Sequence, residues 1–397
     1  MVTVSLTLSR APCALPTVDD PPNLRRDPPA PLKRRYRGCL LGGAVGDALG
    51  APVEFMSLME IRETFGRSGI TEFTTAFDRK GAITDDTQMT LFTAEGLLRA
   101  YVAGAANSDL ANVAPFVGNA YARWLATQDM TPGVAEFDRD GWLFGVRELH
   151  TQRVPGASCL TALEQMTRLG ERARNDSKGC GGVMRSAPVG LWCARLDQGM
   201  SPERIARRAL ELGSDLAGLT HGHPTGRLAA GAMAAIVALV AGDMSLVEAV
   251  RIAKTLLARH PGHAETLTGI ERAEALAAQG GVPRAEALVE LGEGWIAEEA
   301  LSIALACALT APDFEIGVRL AVNHDGDSDS TAAIAGNLLG ALHGVDAIPK
   351  RWLLSLELRR VVLDTADDLA TFPDWPIGEF VADSHEAAYW KRRYPGT

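Results

Sequence analysis

Residues 38–50 have the sequence GCLLGGAVGDALG, in which Gly42, Gly46 and Gly50 recur at every fourth position among leucines and alanines. Residues four apart lie on one face of an α-helix, so these glycines form a stripe. Glycine lowers helix stability, and a stripe of it is typical of a helix whose backbone approaches another helix closely. The segment therefore predicts a helix packed tightly against a second one.

Helical patterns continue along the chain from this segment. Residues 87–102, 227–241, 298–310 and 331–343 are apolar-rich with few β-branched runs, and residues 246–259 and 270–278 are amphipathic. Strand-like alternation is almost absent. We predict an all-α fold with a compact single domain over residues 34–350 and a helical C-terminal extension, 351–397, packed on it. Residues 141–156 and 175–182 are the candidate functional loops.

The N-terminal residues differ from the rest. Residues 1–37 contain seven of the 21 prolines, and seven Arg or Lys against three Asp. A basic, proline-rich segment cannot form a core, so residues 1–33 are predicted to be an extended arm. The arm is either a solvated tail or an overlong start, or a segment that docks on a partner or on this protein's own cleft.

Composition excludes several classes of protein. The net charge of −10 argues against nucleic-acid binding, which needs a clustered basic surface. None of the six cysteines lies in a C-x-x-C pair, so neither a zinc site nor a redox motif is indicated. Apolar runs such as residues 229–241 are too short to span a bilayer, and no secretory signal is visible. We predict a cytoplasmic protein that does not bind a membrane.

Two acidic clusters each precede an apolar helix: residues 83–87 are Ile-Thr-Asp-Asp-Thr, and residues 323–331 are Asn-His-Asp-Gly-Asp-Ser-Asp-Ser-Thr. Helix capping is one explanation, because these side-chain oxygens accept hydrogen bonds from free N–H groups. Capping needs only one side chain, however, and neighbouring carboxylates such as Asp85 and Asp86 repel each other without a nearby positive charge. Mg²⁺ and Mn²⁺ prefer such oxygen ligands. Two clusters of this kind indicate a two-metal centre that orients a nucleophilic water.

A third acidic feature follows the glycine stripe. Asp47 is a polar residue within the predicted helix and is expected to fix its packing. Glu54 follows Pro52 beyond the helix, where it either is a solvated loop residue or reaches into a cleft.

These segments together resemble the ADP-ribosylglycohydrolase family, the relatives of the dinitrogenase-reductase activating glycohydrolase and the ADP-ribosylarginine hydrolases. The resemblance is carried by G-D-A-L-G-x-P-x-E at 46–54, T-D-D-T at 84–87, S-K-G-C-G-G-V-M-R at 177–185, H-G-H-P at 221–224 and D-G-D-S-D-S at 325–330. These motifs span about residues 38–345, and their shared order is more specific than any one of them.

The resemblance implies a helical domain with two Mg²⁺ or Mn²⁺ ions at the base of a cleft. The metal ligands that it implies are Thr84, Asp85, Asp86, Asp327, Asp329 and Ser330. The catalytic carboxylates would be Asp85, Asp86 and Glu54. The substrate-binding residues would be Ser177, Gly179, Gly181, Gly182 and Met184 beside the diphosphate and ribose, and His221 and His223 on the adenosine side.

Two positions depart from the family's pattern. Asp325 is an additional acidic residue that is either a turn residue or a support for the ligands. Ser330 stands where many relatives have threonine, and the neighbouring Thr331 leaves the register of this ligand open.

The implied activity is metal-dependent hydrolysis of ADP-ribose from modified protein side chains, with ADP-ribosyl-arginine and its N-glycosidic bond as the first candidate. One alternative is an immunity protein that neutralises a companion ADP-ribosyltransferase toxin by hydrolysis and by occlusion with the arm. Another is a catalytically silent, crystallin-like relative. The presence of every acidic ligand disfavours the silent relative.

Overall fold

Helix α1 (Ala30–Gly50) lies antiparallel to helix α13 (Ser328–His343) at backbone-to-backbone distance in the computed structural model. A Cβ atom at Gly46 would lie 2.0 Å from the carbonyl oxygen of Ala332, and one at Gly42 would lie 2.3 Å from that of Gly336. A Cβ atom at Gly336 would in turn lie 2.1 Å from the carbonyl oxygen of Gly42. The two backbones are so close that no side chain fits between them at these positions. The close helix contact predicted from the glycine stripe is therefore present.

The structure describes residues 30–104, 113–377 and 384–396. In these ranges the other helices are α2 (Leu58–Phe65), α3 (Asp85–Val102), α4 (Ala114–Thr127), α5 (Ala157–Gln165), α6 (Ala187–Leu196), α7 (Pro202–Ala217), α8 (Pro224–Ala241), α9 (Leu246–Leu257), α10 (Ala264–Ala277), α11 (Ala297–Thr310), α12 (Phe314–Ala321), α14 (Lys350–Ser355), α15 (Arg359–Thr371) and α16 (His385–Arg393). Two short antiparallel strands, β1 (Thr75–Ala76) and β2 (Arg79–Lys80), form a hairpin. The all-α prediction is confirmed.

The predicted apolar helices begin slightly later than the real ones. Helices α3 and α13 start at Asp85 and Ser328, so the polar residues of both acidic clusters form their first turns. Helix α10 begins at Ala264, six residues before the predicted start at residue 270. Polar and charged side chains are common in the first turn, where N–H groups are free, so apolar periodicity alone misses them.

Helix α8 is the central core helix. It packs against α6, α7, α9, α11 and α13. Among the described residues it is also the one helix long and apolar enough to cross a membrane, yet 89% of that stretch is buried inside the protein. Its composition is explained by burial on all sides within the core.

Both predicted domain boundaries lie inside helices. Helix α1 begins at Ala30 and crosses the boundary at residues 33/34, while residues 1–29 of the predicted arm lie outside the described residues. Helix α14 crosses the boundary at residues 350/351. Beyond it, α15 packs against α1, α3 and α6, and Trp390 of α16 stacks on Trp375 with 3.8 Å between ring centroids.

Candidate active site

The ends of three helices meet at one place and bring the acidic segments together. The C-terminal end of α1 reaches the first turn of α13, where a Cβ atom on Gly50 would lie 2.4 Å from the Cα of Asp329. Asp47 on α1 is buried and accepts hydrogen bonds from the backbone N–H groups of Thr84, at 2.9 Å, and Thr87, at 3.1 Å. Its carboxylate therefore binds the free N–H groups at the start of α3.

Glu54, Asp327 and Asp329 form the centre of the acidic cluster. One carboxylate oxygen from each lies within 4.8 Å of the others. The hydroxyl of Ser330 is 3.4 Å from Oδ1 of Asp86, which joins the α13 segment to the α3 segment. Residues separated by more than 240 positions thus share one buried pocket, and Glu54, 8% exposed, belongs to it instead of to solvent.

Burial and mutual repulsion raise the pKa values of these carboxyls. Burial, followed by Asp327 and Asp85, raises the pKa of Glu54 to about 9. Burial is also the largest cause of the rise in the pKa of Asp85 to about 8. The pKa values of Asp86 and Asp329 lie well above the usual range for the same reasons. Several carboxyls in this pocket therefore hold protons near neutral pH unless a cation compensates their charge.

Helix capping accounts for only part of the two clusters. The Thr84 hydroxyl accepts a hydrogen bond from the N–H of Asp86, and Asp327 accepts one from the N–H of Ser330, each at 3.3 Å. Thus one side chain of each cluster caps its own helix. Capping leaves the buried carboxyls of Asp85, Asp86 and Asp329 unexplained.

The remaining groups suit a hard divalent cation. Oδ2 of Asp86 is buried and has no hydrogen-bond partner among the described residues. The acidic cluster and Ser330 offer carboxylate and hydroxyl oxygens, the ligands that Mg²⁺ and Mn²⁺ prefer. A positive ion would also remove the repulsion that raises the carboxyl pKa values.

The structure separates the roles of Ser330 and Thr331. The Thr331 hydroxyl is 2.7 Å from Nε2 of His324 and donates to the carbonyl oxygen of Ala321 at 2.9 Å. It therefore faces away from the cluster and ties α13 to α12. Ser330 faces Asp86 in the cluster, and its role as a metal ligand stays a prediction.

Asp325 joins the loop before α13 to the start of α2. Its Oδ1 accepts a hydrogen bond of 2.7 Å from the backbone N–H of Leu58, the first residue of α2. The following residue, Gly326, has a φ of +100°, which favours glycine and a turn at this point. Support of the metal ligands by Asp325 stays a prediction.

The glycine-rich segment packs directly against the acidic cluster. Gly181 has little room for a side chain, since a Cβ atom there would lie 3.0 Å from the Sγ of Cys159 and 3.1 Å from His221. The Cys180 thiol donates a hydrogen bond of 2.8 Å to Oδ2 of Asp327. Burial raises the pKa of this thiol, which favours its role as a donor. Met184 lies on the same side, with its sulfur 3.9 Å from the Ser330 hydroxyl.

The other predicted substrate residues lie behind or beside this segment. The hydroxyl of Ser177 is 2.7 Å from that of Ser158. Gly182 is a packing position, where a Cβ atom would lie 3.0 Å from Ala217, and a Cβ atom on Gly179 would lie 3.3 Å from His221. The backbone on both sides of residues 180–182 is therefore closely packed.

The two predicted histidines occupy structural positions. His221 is 1% exposed, and its Nδ1 lies 2.8 Å from the hydroxyl of Thr220. Burial, and then the charge of Arg185, lowers the pKa of His221 to about 3, so its ring is neutral. His223 caps α8 by accepting a hydrogen bond from the N–H of Thr225. His221 supports the glycine-rich turn from inside, and contact of either ring with a ligand stays a prediction.

Sequence reasoning missed three side chains around the cluster. Cys180 lies inside the glycine-rich motif at 177–185, but a single thiol outside a C-x-x-C pair gives no signal in the sequence. Phe55 and Trp295 stack at the edge of the cluster, and no spacing rule connects them. Their contact depends on the tertiary fold, although the position of Phe55 directly after Glu54 was a usable signal.

Comparison with known proteins identifies relatives over most of the chain. The family model described as ADP-ribosylglycohydrolase matches residues 28–376. The ADP-ribosyl-[dinitrogen reductase] glycohydrolase of Rhodospirillum rubrum is 26% identical over 82% of this chain and 91% of its own length. The human ADP-ribosylhydrolase ARH3 is 26% identical over 81% of this chain and 89% of its own. A solved structure titled ADP-ribosylglycohydrolase-related protein complex is similar with a TM-score of 0.60 and 27% identity, covering 86% of this chain and 98% of that one.

Proposed function

We propose that this chain, which belongs to the ADP-ribosylglycohydrolase family, removes ADP-ribose from modified arginine side chains of proteins with the help of divalent cations. As a member of this family it is a hydrolase of glycosidic bonds that acts on ADP-ribosylated substrates. The observation that carries the finer proposal is the convergence of Glu54, Asp327 and Asp329 with the first turn of α3 in one buried pocket.

The oxygen-rich side chains of this pocket would hold Mg²⁺ or Mn²⁺, and we propose two ions. When bound, such ions polarise substrate oxygens and water. The proposed ligands are Thr84, Asp85, Asp86, Asp327, Asp329 and Ser330. The unpartnered Oδ2 of Asp86 and the raised carboxyl pKa values support this assignment.

The reaction breaks the bond between the anomeric carbon of the distal ribose and a guanidinium nitrogen, through an oxocarbenium-like sugar. In the proposed sequence Asp85 or Asp86, ionised when the cations are bound, accepts a proton from the attacking water. That proton, or one from water, then passes to the leaving guanidine nitrogen, with Glu54 as the candidate neighbouring carboxyl. The N–H groups of the glycine-rich turn at residues 180–182 bind substrate oxygens.

An arginine linkage suits the charge of the site. The guanidinium group attached to ADP-ribose is cationic, and the carboxylates that are ionised when the divalent cations are bound attract it. A serine linkage carries no such charge. This difference favours arginine-linked substrates.

The proposal is tested with purified protein and two peptides that carry ADP-ribose on arginine or on serine. We expect release of ADP-ribose from the arginine peptide with Mg²⁺ or Mn²⁺, loss of release with a chelator, and recovery when cation is restored. Release from the serine peptide alone would contradict the proposed linkage, and full activity in chelator would contradict the metal.

Aspartate variants with a surface control test whether the reaction takes place at the acidic cluster. Asp86→Ala and Asp329→Ala are expected to abolish release while circular dichroism stays that of the wild type. Asp346→Ala is the control, since Asp346 is a surface residue paired with Arg34. Release at the wild-type rate by either cluster variant would show that the reaction occurs elsewhere.

A further inference from the structure

Two exposed aromatic side chains stack beside the acidic cluster. The ring centroids of Phe55 and Trp295 are 5.5 Å apart and the rings are inclined by 19°. Phe55 is 67% exposed and Trp295 37%. Aromatic rings contribute large contact areas and are enriched at binding surfaces, so an exposed pair at the edge of a site is a candidate for ligand contact.

Both rings are attached to segments that line the cluster. Phe55 directly follows Glu54. Trp295 follows Gly294, where a Cβ atom would lie 3.4 Å from the Cβ of Asp327. The carbonyl oxygen of Trp295 accepts a hydrogen bond of 3.1 Å from the N–H of Cys180. The pair therefore lies where three segments meet: the turn that carries Glu54, the loop before α13 and the glycine-rich turn at residues 180–182.

The segment that carries Trp295 is held in place by several contacts. The Glu299 carboxylate accepts hydrogen bonds from the N–H groups of Glu293 and Gly294, at 3.1 and 3.3 Å. The carbonyl oxygen of Glu293 accepts another, of 2.8 Å, from the N–H of Asp327. Trp295 is thus presented by an ordered loop, as a binding surface requires.

The charge around the pair indicates the kind of group that it binds. Elsewhere in the described residues, arginine side chains lie over the rings of Phe77, Tyr121, Phe137, Trp142 and Trp352. In those same residues no arginine or lysine is found over Phe55 or Trp295. Ionised carboxyls of the neighbouring acidic cluster add attraction for a cation.

We propose that Phe55 and Trp295 form an aromatic platform that binds the guanidinium group of the modified arginine. A planar guanidinium stacks on an aromatic face and is attracted by its π-electrons. The two rings already contact each other, so the guanidinium lies on an exposed face of the pair and not between the rings. This inference rests on the proposed function, since it assigns the part of the site that recognises the leaving group.

The test compares Trp295→Ala and Phe55→Ala with the conservative variants Trp295→Phe and Phe55→Tyr. We expect the KM for the arginine peptide to rise roughly 2- to 30-fold in the alanine variants, from the range of cation–π energies. The conservative variants should recover most of this loss. Met59→Ala is the control, because Met59 is an exposed apolar side chain, 68% accessible, on neighbouring α2, and its KM should equal that of the wild type.

A binding experiment distinguishes this inference from the proposed function. The arginine peptide and free ADP-ribose are titrated by calorimetry into chelator-treated protein, so that cleavage does not interfere. We expect Trp295→Ala to lose affinity for the peptide and to keep wild-type affinity for ADP-ribose. Equal losses for both ligands would place the rings against the nucleotide and overturn the inference, as would an unchanged KM. A wild-type protein that binds the peptide through Trp295 but does not cleave it would refute the proposed function alone.

Discussion

Cation binding to the acidic cluster should release protons, and the number follows from the carboxyl pKa values. Burial and neighbouring charges raise the pKa of Glu54 to about 9 and that of Asp85 to about 8. At about pH 7 both carboxyls of the cation-free protein are therefore protonated. A divalent cation stabilises the ionised forms, so each carboxyl loses its proton when the cation binds.

The direction of the pH dependence follows from these raised values. Release of the protons of Glu54 and Asp85 lowers the apparent Kd for the cation by about 100-fold for each unit of rising pH below about 8. Between about 8 and 9 only Glu54 of these two still releases a proton, and their contribution falls to about tenfold per unit. Protons held by Asp86 and Asp329, whose pKa values are also raised, add to this dependence. Cation affinity is therefore weakest in acid and rises with pH.

Calorimetric titration of chelator-treated protein with MnCl₂ measures this release directly. The same titration in two buffers with different heats of ionisation gives the number of protons displaced. Glu54→Gln keeps the neutral shape of the protonated residue and should release one proton fewer. Glu63→Gln, an exposed position on α2, should match the wild type. Absence of proton release at about pH 7, or equal release by wild type and Glu54→Gln, would refute the assignment of these protons.

Further predictions concern helix packing and the hydroxyl ligand. Gly46→Ala should lower the unfolding free energy by about 1–3 kcal/mol in urea titrations, because its Cβ would lie 2.0 Å from a backbone oxygen of α13. The higher helix propensity of alanine, worth about 1 kcal/mol, acts in the opposite direction, so a more stable variant would contradict the close contact. Ser330→Ala should weaken cation binding roughly 10- to 100-fold by calorimetry, while Thr331→Val should mainly reduce stability, by about 1–3 kcal/mol. Weaker cation binding in Thr331→Val but not in Ser330→Ala would identify Thr331 as the ligand instead.

The sequence predicted the main helices well where their patterns were long. Helices α3, α8, α11 and α13 were recognised from apolar composition, and their C-terminal ends agree with the prediction. Their N-terminal ends were missed by one to three residues, because the polar residues of the first turn break the apolar pattern. The hairpin β1–β2 was not predicted, since two-residue strands show no alternation.

The candidate ligands could be predicted from the sequence because the repulsion that marks them acts between neighbouring residues. Consecutive carboxylates at a helix start repel one another, so Asp85, Asp86, Asp327 and Asp329 indicated a cation before any fold was known. The sequence indicated only part of the role of Asp47. Its effect on helix packing was expected, but its hydrogen bonds to Thr84 and Thr87 on α3 depend on how the two helices meet.

The amino-acid sequence by itself determined the helical class, the contact face of α1 and the identity of the acidic groups, because periodicity and charge repulsion act between neighbouring residues. Only the tertiary structure decided which groups share the pocket. It brought Glu54 to Asp327, turned Ser330 toward Asp86 and Thr331 away from it, and stacked Phe55 on Trp295. These arrangements depend on glycine-mediated contact between α1 and α13, which joins segments nearly 300 residues apart and follows no local pattern.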